Sequence, residues 1–234
     1  MLQLCPNGAR RPADHPALPG TPIAVAADVA ACLLLGGGDV HVHPKDADGA
    51  DTVTAEPVAA FVDAVRMLAP SVTVGVTTGA WTAPDPAALV GAIKHWHTLP
   101  DHASVNWHEA GADETAAALL DRGVAVHAGL FTGTDGVDRF LASPVRPRVE
   151  RILVEVTDSD PDDGLRSADA TLARLGHLDV SILLHGEDAT AWPMLARAAE
   201  LGLDQRIGLE DTLTLPDGRA ASDNVELMRY ALRG

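Results

Sequence analysis

The stretch RILVEVTDSDPDDGLRSADATLARLGHLDVSILLHG, Arg151–Gly186, is one strand–helix–strand unit written out in full. RILVEVT (151–157) is a short β-branched and apolar run, the composition of a strand buried on both faces. DDGLRSADATLARLG (162–176) is an Ala/Leu-rich helical pattern closed by a glycine, and glycine after the last helical residue is a stop signal. SILLHG (181–186) returns to strand composition. Two such runs joined by a helix predict parallel strands.

The alternation continues outward in both directions. Upstream, strand runs stand at 2–5, 39–43, 71–78, 103–107 and 124–130, each followed by a helical pattern. Pro57 stands at the start of one of these helices, PVAAFVDAVRML, where its missing N–H costs nothing. Downstream, RIGLED (206–211) reads as the eighth strand, and SDNVELMRYALR closes the chain as a helix. Eight strand–helix units in 234 residues predict an α/β fold, a single (β/α)8 TIM barrel occupying 1–234 as one domain. An open doubly wound sheet would need a phosphate fingerprint after the first strand, and NGARRP is not one.

Bulk composition narrows the function classes. With 17 basic and 33 acidic residues the net charge is −16, which argues against nucleic acid or an anionic membrane as partner. An anionic ligand would need a local basic patch. Cys5 and Cys32 make no disulfide framework, as expected of a cytoplasmic protein. The opening MLQLCPNGARRP has no signal-peptide pattern. The longest apolar run, VAADVAACLLLGGG, contains Asp28 and breaks at three glycines, too short and interrupted to span a bilayer.

In such a barrel the strands' C-terminal ends carry the active site. Here those ends hold Asn7, His41, His43, Thr77, Thr78, Asn106, His127, Glu155, His185, Glu210 and Asp211. In DVHVH, His41 and His43 stand at i and i+2 and project from the same strand face. Two imidazoles so placed suit one divalent metal. Glu210, from the strand that closes the barrel two places away, would complete a His2Glu set with an open coordination position, the mark of a catalytic metal. Asp211 would point differently and could act as a base beside the metal. Arg206 would either orient Asp211 or hold a substrate carboxylate by a two-pronged contact. The four tryptophans and the two cysteines read as packing residues.

Together GDVHVHPKDADG, VGVTTGAW, ASVNWHEAG, ILLHGEDATAW and RIGLEDTLTLPDG resemble the β-keto acid cleavage enzymes, typified by the 3-keto-5-aminohexanoate cleavage enzyme, from about residue 21 to the end. The resemblance implies a zinc-dependent C-acyltransferase. Such enzymes condense a β-keto acid with acetyl-CoA and release acetoacetate and a new acyl-CoA. It implies His41, His43 and Glu210 as Zn2+ ligands, Asp211 as base and Arg206 as its partner. Thr77 or Thr78 falls at the hydroxyl that meets the keto acid, and Ser104 and Asn106 lie in the strand-four substrate segment. It also implies a homo-oligomer.

Three positions depart from the family pattern. Lys45 in HVHPKD replaces an arginine, His127 in VAVHAG replaces a glutamate, and Asn7 stands near a spot often acidic. His127 is taken as a substrate-binding residue, and the lost negative charge as a sign that the keto acid is not an aminated one. Arg10, Arg11, Lys45 or Arg219 is expected near the mouth to attract CoA. Two other classes fit the motifs in part. An amidohydrolase-type metal hydrolase also uses H-x-H, but on the first strand and with histidines on strands five and six. A non-catalytic metal- or metabolite-binding barrel would account for the departures.

Overall fold

The computed structural model describes residues 1–233. Eight parallel strands follow one another in sequence order around a closed barrel. They are β1 (Leu2–Leu4), β2 (Asp39–Val42), β3 (Thr73–Thr77), β4 (His102–Asn106), β5 (Ala125–Phe131), β6 (Arg151–Val156), β7 (Ser181–Gly186) and β8 (Asp204–Ile207). The helices between and after them are α1 (Pro22–Leu33), α2 (Ala55–Leu68), α3 (Pro86–His95), α4 (Ala112–Asp121), α5 (Gly136–Ala142), α6 (Pro161–Leu175), α7 (Ala191–Leu201) and α8 (Asn224–Ala231). β1 closes the ring by pairing with both β2 and β8. The fold is the (β/α)8 barrel expected from the alternation.

Local chemistry sets the helix starts. Thr21, Asp85 and Asp160 accept backbone N–H bonds at the heads of α1, α3 and α6, and each is followed by a proline at the first helical position. Side-chain caps satisfy orphan donors there, and proline's fixed φ suits that position. Pro57 lies in the first turn of α2, two residues after its start, where N–H groups have no partner in the helix.

Side-chain alternation divides each strand. Val74, Val76, Val126, Ala128, Ile152 and Val154 join the buried apolar core. The alternate residues Thr77, Asn106 and Glu155 instead line a cavity of about 350 Å3, which also takes His41, His43 and Glu210. This cavity lies at the C-terminal ends of the strands. A second cavity, about 330 Å3, opens at the other end among Asp39, His102, His127, Glu150 and Arg151.

Two expectations about depth in the barrel are corrected. β8 ends at Ile207, so Arg206 lies inside the strand, and Glu210 and Asp211 belong to the turn after it. The turn forms because the N–H groups of Asp211 and Thr212 both donate to the Gly208 carbonyl. Gly208 passes so close to β1 that a Cβ would lie 1.9 Å from the Cys5 carbonyl oxygen. His127 is not at the C-terminal ends of the strands. It pairs in register with Arg151, the first residue of β6, and its ring stacks on His102 at 3.9 Å in the lower cavity.

Candidate active site

β2 delivers His41 from within the strand and His43 just beyond it. Their rings meet edge to face at 5.3 Å. Glu210 reaches them from the turn after β8, and one ligand atom from each of the three lies within 4.8 Å of the others. His43 Nε2 is 3.3 Å from Glu210 Oε1. Gly8 makes room: its φ is +56°, and a Cβ there would fall 2.3 Å from Glu210 Cγ.

The surroundings hold this triad in place. The Asn7 side chain donates to the His43 carbonyl at 2.9 Å and accepts from its N–H at 3.0 Å, continuing the β1–β2 pairing through a side chain. Asp51 Oδ2 lies 2.9 Å from His43 Nδ1 and accepts from Trp81 Nε1 at 2.8 Å. With Nδ1 occupied, Nε2 is the nitrogen left to face Glu210. Carboxylate-oriented imidazoles are a recurring feature of metal sites.

The residues fit a divalent metal. Burial keeps His41 well below the ordinary histidine pKa and therefore neutral, the form that ligates. Burial opposes protonation of His43 as well, yet Glu210 and Asp51 raise it to about 9. That anionic field would favour a bound cation just as it favours the proton. Burial disfavours the Glu210 carboxylate, but Arg206 and His43 outweigh it and keep it ionised. Its Oε2 is buried with no hydrogen-bond partner among the described residues. Such an orphaned oxygen is costly unless a bound group takes it up.

Beside the triad, Arg206 Nε donates to Asp211 Oδ1 at 2.8 Å and a terminal nitrogen donates to Glu210 Oε1. Of the two roles open to Arg206, these contacts favour orienting Asp211. Asp211 is wholly buried, and Oδ2 has no partner among the described residues. Burial lifts its pKa to about 7 against the pull of Arg206, near the optimum for a proton carrier at neutral pH. His185 lies between Glu155 Oε2, at 3.6 Å, and Asp211 Oδ1, at 3.7 Å. Burial raises Glu155 to about 8.

Thr77, Ser104 and Asn106 line the cavity. Thr78 does not; its hydroxyl donates to the Ser104 carbonyl at 2.6 Å. His127 is separated from these residues, as described above. Lys45 is buried and donates to the Gly8 and Arg10 carbonyls and to Asp51, so it is a strut for the loops and no lure for anions. Arg219 pairs with Asp217 on the surface. Of the four expected cations Arg10 alone lines the cavity, and its guanidinium bridges to Asp188 at 2.7 Å. Sequence reading missed Asp51, whose only signal is an acid eight residues beyond His43. It also took Trp81 for packing, whereas Trp81 is half-exposed, lines the cavity and stacks beside His43 at 6.2 Å.

Structures with the same architecture include ObcA in ternary complex with a C4-CoA adduct and oxalate, at 18% identity and TM-score 0.71, over 93% of this chain and 63% of that one. ObcA in binary complex with oxaloacetate matches at 18% identity and TM-score 0.70, over the same shares. The chain thus spans under two thirds of the length of ObcA. 3-Dehydroquinate dehydratase from Geobacillus kaustophilus matches at 12% identity and TM-score 0.61, over 99% of this chain and 89% of that one. At such identities these likenesses show the barrel alone. No curated protein sequence matches significantly. The sequence profile of the β-keto acid cleavage enzymes, however, matches residues 1–150 and 153–233, and the chain belongs to that family.

Proposed function

We propose that this chain is a zinc-dependent acyltransferase that cleaves a β-keto acid with acetyl-CoA, giving acetoacetate and a new acyl-CoA. The observation that carries the reading is the convergence of His41, His43 and Glu210 beside the buried Asp211–Arg206 pair at the catalytic end of the barrel. The ObcA complexes support the substrate classes, since one holds a CoA adduct and the other oxaloacetate, whose ketone is β to one carboxylate.

His41, His43 and Glu210 would hold the metal. Once bound there, it would polarise the ketone and carboxylate oxygens of the keto acid and make its C2 proton more acidic. Asp211 takes that proton, and Arg206 fixes the carboxylate that receives it. The C2 carbanion attacks the thioester carbonyl of acetyl-CoA, forming a C–C bond. Thr77 lines the cavity, and its hydroxyl would donate to the developing oxyanion, a contact worth about 3–4 kcal/mol when preorganised. The adduct expels CoA thiolate, which adds to the original ketone carbon; the original C2–C3 bond then breaks, releasing the acyl-CoA and the acetoacetate carbanion, which takes back the proton held by Asp211. Ser104 and Asn106 would seat the keto acid.

His127 lies in the other cavity, so its identity does not bear on the keto acid's side chain, and an aminated keto acid stays among the candidate substrates. The hydrolase reading loses the same residue, its one candidate histidine on strand five. Metal analysis of the purified chain, followed by a panel of β-keto acids with acetyl-CoA, tests the proposal. Zinc near one equivalent and acetoacetate formed only when both substrates are present are the expected results. Metal-loaded protein with no CoA-dependent turnover across the panel would favour the non-catalytic barrel.

A further inference from the structure

Among the carboxyls of the upper cavity, Glu155 stands apart. Asp14 accepts from the Arg11 N–H, Asp188 from Arg10 and Glu210 from Arg206, and Glu187 caps the helical turn after β7. Glu155, on β6, lines the same cavity and accepts from no described residue. A buried carboxyl without a donor gains nothing from ionising.

The group is nonetheless closely seated. Its Oε1 lies over Gly129, where a Cβ would fall 2.5 Å from it and 2.5 Å from Asn106 Oδ1. Any side chain on Gly129 would displace it. Oε2 stands 3.6 Å from His185 Nε2, and burial keeps that imidazole neutral. β4 and β5 bring Asn106 and Gly129 against the carboxyl, neither of which titrates. Burial is the main force on its proton. Arg206 of β8 opposes burial, while Glu187, Glu210 and Asp211 reinforce it, and the acid form persists up to about 8. At neutral pH Glu155 is therefore a hydrogen-bond donor that faces the cavity with nothing to donate to.

Resting on the reaction proposed above, we propose that Glu155 is a further catalytic residue, whose carboxyl O–H donates a hydrogen bond to the oxyanion formed from the acetyl-CoA carbonyl, sharing it with Thr77. The assignment follows from where charge builds up. The ketone and carboxylate oxygens of the keto acid would face the metal, so the oxygen that becomes anionic away from it is the thioester's. As C2 attacks, its electron pair forms the C–C bond and the carbonyl π pair moves onto that oxygen; when the pair returns, CoA thiolate leaves. Glu155 keeps its proton throughout, so the proton exchanged with C2 stays with Asp211. A carboxylic acid held neutral by its surroundings is a known means of donating such a bond. A divalent metal, Glu210 and a chelated keto-acid monoanion sum to no net charge, so the loaded site does not force Glu155 to ionise.

Glu155→Gln keeps a donor and removes the ionisation, whereas Glu155→Ala removes the donor. With zinc-loaded protein, acetyl-CoA and a β-keto acid that the wild type turns over, Glu155→Ala should lower kcat about 100–1000-fold. Its zinc content should match the wild type, and KM for the keto acid should change less than about threefold. Glu155→Gln should stay within about tenfold of wild-type kcat and lose the wild type's decline above about pH 8. The infrared difference between wild type and Glu155→Gln at neutral pH should contain the carbonyl stretch of a protonated carboxyl, a readout that needs neither turnover nor the Ala variant. Near-wild-type kcat in Glu155→Ala would overturn the proposal, as would a missing infrared band. Equal losses in the Gln and Ala variants would overturn it by showing that the carboxylate itself is required. No turnover of any β-keto acid by the zinc-loaded wild type would instead remove the reaction, and the donor role with it.

Discussion

At the scale of single residues, the proposed function gives metal holding and proton transfer to different side chains. Asp211→Asn keeps the hydrogen bond from Arg206 through its amide oxygen but removes the carboxylate. Zinc content should stay at the wild-type level while turnover falls at least about 1000-fold, within the range of a lost general base. His41→Ala should lose both, and metal analysis beside an acetoacetate assay distinguishes the two variants; wild-type turnover in Asp211→Asn would remove it from the role of base. Asp51 acts one step further out. It fixes the His43 ring through Nδ1 and ties it to Trp81. Asp51→Asn should therefore weaken metal affinity about 10–100-fold with His41, His43 and Glu210 all intact, measured by competition with a chelator. An unchanged affinity would mean that Asn7 and packing alone orient the ring.

At the scale of elements, strand alternation made the inward residues legible, but not how deep each one sits. The H-x-H pair was readable because i and i+2 share a face and β2 ends there. His127 shares the inward face with Ser104, its register partner, yet falls in the lower cavity because β5 begins at Ala125 and runs on to Phe131. Run boundaries carry no such information. The ending of β8 was hidden for a different reason. RIGLED has strand-like composition, and the chain turns only through the hydrogen bonds of the Asp211 and Thr212 N–H groups to the Gly208 carbonyl, at a glycine that the Cys5 carbonyl leaves no room to replace. The β1–α1 loop shapes the site in the same way. Gly8→Ala puts a side chain at φ +56° and against Glu210. The strained backbone should cost about 1–3 kcal/mol. Displacement of Glu210 should lower metal affinity, so chelator competition should show a loss even at temperatures where the variant remains folded. Equal metal affinity in the folded variant would show that Glu210 yields without losing its place.

At the scale of the whole molecule, the barrel's closure and the site's stability meet at Asn224, the first residue of α8. Its side chain accepts from the Leu209 N–H at 2.7 Å and donates to the Pro6 carbonyl at 2.9 Å and to Asp28 at 2.6 Å. One amide thus ties the turn bearing Glu210 to the end of β1 and to α1. Asp28 carries the cost of this arrangement: burial raises its pKa to about 6, although the Asn224 hydrogen bond pulls the other way. In the unfolded chain the group titrates near the ordinary aspartate value of about 3.9. A carboxyl whose folded pKa is raised binds more protons folded than unfolded between those values, so stability falls as pH rises from about 4 to 6 and stays lowered above. Asp28→Asn retains an acceptor for Asn224 and removes the ionisation. The variant should match the wild type near pH 4 and exceed it by about 1–3 kcal/mol at pH 8, at equal metal loading. Denaturant midpoints measured across that range check the sign. A gap that stayed constant with pH would show that Asp28 ionises as readily in the folded protein as in the unfolded chain.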